Sequence, residues 1–374
     1  MNIVERMNHY HVPGVSVCYF DEGAVRWSRC FGVRACEGAK PVDGNTIFHA
    51  CSISKMVTAL CALRLVQEGK LALDGDVNAH LRTWKLPKEH GVSLRNLLSH
   101  QAGFIDPEGS FEPYRIGDPV PKPADLLRGT TLYHPQPLGQ KYAPETRFEY
   151  ADAGYCLVAQ LLEDVTGESV PRLAERLIFR PLGLQRTFFW EIGAQPDFIA
   201  DCAFGHDSSG AVVAGGRAHY PNVEGAGLWT TPTELSAIAL DLMAAYHHGG
   251  GVILGQDLAL QMFTPGGDGG FACPGLFYDG AGDFFFSQGW GVGMQCKMRL
   301  YPRTGRGIAV MTNSEPGMEQ DRALVGEIIA AVCDLSGHCG LDSQSSQSSR
   351  TWGGVEILGQ ARDDRGERSE RPEK

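Results

Sequence analysis

Apolar positions follow two periods along this chain, and the periods fall in different regions. Val15, Val17 and Tyr19 alternate with smaller or polar residues, Asp21-Glu22-Gly23 supplies a turn, and Val25, Trp27 and Phe31 follow. Residues 14–33 therefore read as two strands. Thr46-Ile47-Phe48 reads as a strand end. Val57, Leu60, Leu63 and Val66 then recur at helical spacing up to a stop at Gly69. A short helix over Ser93–Leu98 is capped by Ser93 and ended before Gly103. Asp152 caps a helix carrying Leu157, Leu161, Leu162 and Val165, stopped by Gly167, and residues 170–179 form another, ended by Pro181. Thr231-Pro232-Thr233-Glu234 reads as a capping box with proline at the first helical position, followed by Leu235, Ile238 and Leu242. Strand patterns return in Gln295–Tyr301 and Gly307–Thr312 around a Pro302-Arg303-Thr304-Gly305 turn. A last amphipathic helix carries Leu324, Ile328, Ile329 and Val332.

Strand signals at both ends and helix signals between them predict an α+β chain. One antiparallel sheet is made from both chain ends, flanked by terminal helices, with a mainly helical region inserted. The sheet region covers about 1–75 and 225–341, and the insert about 76–224. Residues 105–147 are rich in proline and glycine, and a long irregular segment inside a compact chain is usually functional or mobile. From Asp342 to Lys374, Ser and Gln and then alternating charges take over, a composition that predicts a disordered polar tail. Trp352 to Leu358 is an apolar island within it that the pattern does not explain.

The chain has 374 residues, 43% of them hydrophobic, which is ample for a large core. With 33 basic and 44 acidic residues the net charge is −11, which argues against nucleic acid as a partner. No apolar run is long enough to span a bilayer, so no membrane is expected. The eleven cysteines form no C-x-x-C pair, and Cys18, Cys30, Cys61 and Cys156 lie in apolar stretches as small core residues. Met1 to His11 is polar, with no signal-peptide pattern, so a reduced cytoplasmic protein is the simplest expectation.

Chemistry is signalled first by Ser52-Ile53-Ser54-Lys55. Three residues apart on a helix, Ser52 and Lys55 share a face, and a lysine of lowered pKa can take the proton of a serine nucleophile. At a helix N-terminus, developing negative charge is favoured. The bland alternative is a helix capped by Ser52 beside a solvated lysine. Tyr150, at a loop-to-helix junction, can turn its hydroxyl into a cleft and move protons, or simply pack. The glycine-rich run Phe284 to Gly293 lets a ligand approach a strand closely, whereas a phosphate loop lacks its Gly-Lys-Ser/Thr. There is no G-x-S-x-G elbow and no H-E-x-x-H, and His247-His248 reads as a solvated helix end. No cofactor and no metal is implied.

Taken in order, Pro13 to Val17, Phe48 to Lys55, Leu65 to Leu71, Leu97 to Gly103, Tyr150 to Gly167, Pro181 to Leu184, Gly225 to Thr231 and Val310 to Asn313 resemble the serine β-lactamase and penicillin-binding-protein superfamily. The branch they resemble most is that of the class C β-lactamase relatives, which includes esterases, D-amino-acid peptidases and transesterases. The resemblance covers residues 10–335 and implies a β-lactamase/transpeptidase-like catalytic domain over 1–341. It implies Ser52 as the acylated nucleophile, Lys55 as its base and Tyr150 as the tyrosine of a Tyr-x-Asn element. The backbone N–H groups of Ser52 and Trp290 would form the oxyanion hole. Asp152 stands where many members have asparagine, and a carboxylate there would raise the pKa of Lys55 and weaken it as a base. Ser287-Gln288-Gly289 stands where the family has Lys/His-x-Gly, so a neutral hydroxyl replaces the group that helps the lactamases hold a substrate carboxylate. These departures point away from β-lactams and D-Ala-D-Ala peptides. The resemblance implies an esterase or amidase on a small acyl substrate. Its alternatives are an acyltransferase, a β-lactamase or peptidase, and a silent ligand-binding homologue.

Overall fold

In the computed structural model, which describes residues 1–87 and 91–336, a first helix α1 (Ile3–His9) precedes strands β1 (Gly14–Asp21) and β2 (Ala24–Gly32). Next comes β3 (Phe48–Cys51), so Thr46-Ile47-Phe48 leads into a strand instead of ending one. The reason is local: the N–H and C=O of Ile47 bond to Asp201 and Ala203, a different segment from the partner of β3. Helices α2 (Ser54–Gln67), α3 (Leu94–Leu98), α4 (Pro123–Leu127), α5 (Asp152–Thr166) and α6 (Val170–Ala174) follow, the last continuing as a π-helical turn to Phe179. Then come β4 (Phe188–Phe189), α7 (Val223–Ala226), β5 (Leu228–Thr230), α8 (Pro232–His248) and α9 (Gln256–Met262). The chain closes with β6 (Ala272–Cys273), β7 (Leu276–Asp279), β8 (Phe284–Gly291), β9 (Met294–Tyr301), β10 (Arg306–Thr312) and α10 (Leu324–Ser336). The polar tail expected over 342–374, with its apolar island, lies outside the described residues.

Seven strands pair antiparallel in the order β2-β1-β10-β9-β8-β7-β6, so the two ends of the chain meet at β1 and β10. A three-stranded sheet, β3-β5-β4, carries the approach to Ser52. Alternation along the central strands gives the large sheet two apolar faces. Val15, Val17, Ile308 and Val310 meet Ile3 and Met7 of α1 and Leu324, Ile328 and Ile329 of α10. Arg6 clasps Glu327 at 2.6 Å across those two helices. The opposite face, with Met298, Leu300, Ala309 and Met311, joins the main core around α2 and α5.

Helix α2 is buried from Ser54 to Leu63 on every side, so it has no polar face to lose. Burying one of its leucines contributes about 1.5–3 kcal/mol, and the helix is thereby fixed between the sheet and α5. Two caps differ from expectation. Asp152 is the first residue of α5, not its cap; the N-cap is Ala151, whose side chain accepts nothing. Thr231 does accept the Glu234 N–H at 3.2 Å, but the Glu234 carboxylate turns away to the N–H groups of Gln185 and Arg186 and to Thr187. The box at the start of α8 is therefore half made. At α3 the box is complete, between Ser93 and Asn96.

Candidate active site

Ser52 lies in the turn between β3 and α2, ahead of the helix, neither inside it nor capping it. The two side chains still meet because the turn is tight: the Lys55 N–H donates to the Ser52 carbonyl at 3.0 Å. Cys51, just before, has φ 48°, a left-handed conformation uncommon for a residue with a side chain. Ser54 pins the turn to β5, donating to the Cys51 carbonyl at 2.5 Å and accepting the Leu228 N–H at 2.9 Å.

Lys55 is buried and its ammonium is fully engaged. Nζ donates to Ser52 Oγ at 3.2 Å and to the Gly225 carbonyl at 3.0 Å, and it pairs with Asp152 Oδ1 at 2.7 Å. Asn222 Nδ2 donates to the same Asp152 oxygen at 2.8 Å. Gly225 is required by this approach, since a Cβ there would lie 2.7 Å from Asn222 Nδ2 and 3.1 Å from Asp152 Oδ1. Burial pulls the lysine pKa down, but the Asp152 carboxylate, with Tyr150 beside it, outweighs it and holds the pKa above its ordinary value. The resting lysine is an ammonium, as a carboxylate at position 152 leads one to expect.

Tyr150 leaves 41% of its surface exposed, yet its side chain lines the cleft beside Ser52 and Lys55. Burial raises its pKa and the Lys55 charge opposes the rise. Its ring stacks on His100 with centroids 4.2 Å apart, and Lys55 Nζ lies 5.0 Å from the ring centre. Burial and the Lys55 charge push His100 down to about 3, so this imidazole is neutral.

Ser287 and Gln288 of β8 close the cleft together with Ser52, Lys55, Tyr150 and Phe277. The space enclosed is only about 10 Å³, far below the roughly 300–1,000 Å³ of ligand pockets in general. Gln288 Oε1 is buried with no hydrogen-bond partner among the described residues. Gly289 lies against the turn and does not line the cleft: a Cβ there would come within 2.2 Å of the Ala50 carbonyl and 2.7 Å of Cys296 Sγ. Trp290, two residues past Gln288 on β8, keeps an exposed indole and is not among the lining residues. The structure thus gathers Ser52, Lys55, Tyr150, Asp152, Ser287 and Gln288 around one cleft.

Several participants do not stand out in the sequence. Asp106 Oδ2 accepts the Asp152 N–H at 2.6 Å and Oδ1 accepts the Ala153 N–H at 3.2 Å, and burial with the Asp152 charge pushes its carboxyl up to about 6. One signal was available: alanine cannot cap α5, so an acceptor must come from elsewhere. Behind the turn, Cys51 Sγ lies 3.6 Å from His49 Nδ1, and burial is outweighed there by Cys296 and His49, which pull the thiol down. Among the described residues no group of His, Cys, Asp and Glu side chains could hold a metal ion.

Glu224 of α7 is buried beside Cys156, and burial pushes its carboxyl from an ordinary 4.5 up to about 7. Between those values the unfolded chain ionises this group while the folded chain keeps the proton, so stability falls as pH rises through the window. Glu224→Gln should flatten that slope. Urea denaturation at pH 5 and pH 8 should show a loss smaller than the parent's by about 3 kcal/mol, and equal losses would reject the assignment.

A family model described as Beta-lactamase matches residues 2–332. A putative D-alanyl-D-alanine carboxypeptidase of Escherichia coli (strain K12) is 25% identical over 294 residues, 71% of this chain and 62% of that protein. The chain spans less than two thirds of such curated relatives; two others are covered over 44% and 33% of their length. Among solved structures, D-amino acid amidase from Ochrobactrum anthropi SV3 superposes with TM-score 0.73 at 21% identity, covering 90% of this chain and 96% of that one. An octameric penicillin-binding protein homologue from Pyrococcus abyssi gives 0.71 at 24% identity, covering 90% and 76%. At these identities the two structures speak to the fold alone.

Proposed function

The chain belongs to the beta-lactamase family, and from that premise we propose that it is a serine hydrolase of esterase or amidase type. Ser52 attacks the carbonyl carbon of a small acyl substrate, the leaving group departs with a proton, and water then releases the acyl group from the serine. The observation that carries this reading is the contact of Lys55 Nζ with Ser52 Oγ at 3.2 Å, with Tyr150 lining the same cleft and its ring centre 5.0 Å from Lys55 Nζ. The N–H groups of Ser52 and Trp290 are the oxyanion donors in this reading. Because the resting Lys55 is an ammonium, the Lys55–Tyr150 pair must lose a proton before it can accept the one from Ser52. Activity should therefore climb with pH through the neutral range.

Charge selects the substrate. Lys55 is the sole cation among the residues lining the cleft, and Asp152 already neutralises it. Ser287 offers a hydroxyl and Gln288 a carboxamide, with no positive charge for a substrate carboxylate. Neutral short-chain acyl groups suit this wall, and Gln288 Oε1 can accept an amide N–H. We expect cleavage of short-chain p-nitrophenyl esters and little or no turnover of nitrocefin; efficient nitrocefin turnover would overturn the charge argument.

The hydrolase reading itself is tested by intact mass after treatment with a fluorophosphonate. One covalent adduct, mapped to Ser52, is the expected result, and an unmodified chain would refute it. A cytoplasmic setting belongs to the same reading, since the ten described cysteines are all free thiols. Among the described residues no helix is long and apolar enough to cross a membrane.

A further inference from the structure

We propose that Asp106 is a positioning residue for the reactive end of α5, holding Tyr150 and Asp152 in place from within the irregular 105–147 segment. The inference rests on the serine-hydrolase reading. It starts from an accounting of backbone donors. The first N–H groups of a helix have no partner inside it, and a buried unpaired one costs about 1–3 kcal/mol. Ala151, at the N-cap of α5, has no side-chain acceptor. The Asp106 carboxylate takes the next two donors instead, from Asp152 and Ala153, at 2.6 and 3.2 Å. Bonds to an ionised acceptor are the strong kind, and the positive end of α5 favours the charge.

His100 completes the support from the same stretch of chain. Its carbonyl accepts the Glu149 N–H at 3.2 Å, and its Nδ1 accepts the Ala151 N–H at 3.2 Å. The N–H groups on either side of Tyr150 are thus both tied to residue 100, and the next two along the chain to residue 106. The same bonds fix the backbone of Asp152, whose Oδ1 then meets Lys55 at 2.7 Å. The hydrogen bonds of Asp106 go to α5, and its charge also feels those of Asp152 and Lys55, so it acts on the chemistry by holding α5 and through the field at Lys55.

The consequence is a separation of kinetic constants. Loosening this end of α5 displaces the proton-handling groups and leaves Ser287, Gln288 and Phe277 where they are. Asp106→Ala should lower kcat on a p-nitrophenyl ester by about 10–100-fold, with KM changed by less than about threefold, and Asp106→Asn, which keeps one carbonyl acceptor, should recover most of kcat. Amide hydrogen exchange at Asp152 and Ala153 should quicken in the alanine variant while the later turns of α5 stay protected. If alanine does not fold, Asp106→Ser, too short to reach both donors, replaces it. An unchanged kcat, or a KM rising in step with the loss, overturns the proposal. Should fluorophosphonate fail to label the parent, the hydrolase reading falls, and exchange decides alone: quickening at Asp152 and Ala153 supports the positioning role, and unchanged rates overturn it.

Discussion

Ser52→Ala is expected to lose at least about a thousandfold in kcat/KM on a short-chain p-nitrophenyl ester. The alanine removes the oxygen that forms the covalent intermediate and leaves the fold alone, because the one hydrogen bond of the Ser52 side chain among the described residues goes to Lys55. The turn itself is held by Ser54, which bridges the Cys51 carbonyl and the Leu228 N–H. The variant should therefore melt near the parent's temperature, take no fluorophosphonate adduct, and show no burst of nitrophenol. Equal rates for variant and parent would sink the nucleophile assignment. A variant that fails to fold would say only that Ser52 supports the turn, so a melting curve accompanies the assay.

Asp152→Asn should move activity the other way. The carboxylate holds a proton on Lys55 and also raises Tyr150, so it opposes either group as the acceptor of the serine proton. Asparagine keeps the Oδ1 acceptor that meets Lys55 Nζ and Asn222 Nδ2 but removes the charge. Burial then pulls Lys55 down unopposed by that neighbour, and each unit of fall multiplies the unprotonated fraction tenfold. We expect kcat/KM at pH 7 to rise about tenfold or more and the acid limb of the pH–rate profile to move to lower pH by about one unit. Removing the partner of a buried charge costs stability, so the variant should melt at a lower temperature. A slower variant with an unmoved limb would mean that the Asp152 carboxylate itself takes part in the proton transfer.

Periodicity located β1, β2, α2, α5, α8, β9, β10 and α10, because each buries a stripe or a face whose spacing is set by its own backbone. It could not locate β3, whose pairing to β5 depends on a segment 180 residues away in the chain. The Asp152 cap and the returning half of the box at Thr231 fail for the same reason: the carboxylates of Asp152 and Glu234 find stronger partners contributed by distant segments, Lys55 and residues 185–187. Ser52, Lys55 and Tyr150 were legible through spacing and resemblance. Asp106, Asn222 and Glu224 were not, since a lone acidic or amide residue in a loop carries no period, and only folding makes it a buried neighbour of Lys55.

The pairing of β1 with β10 bears on how this protein is made. Residues 15–20 leave the ribosome nearly three hundred residues before their partners at 307–312 are synthesised. Until then the hydrogen-bonding edge of β1 stands open, an invitation to foreign strands. Folding of the sheet thus waits for the synthesis of β10, and a chain interrupted before Arg306 should be a substrate for chaperones and proteases.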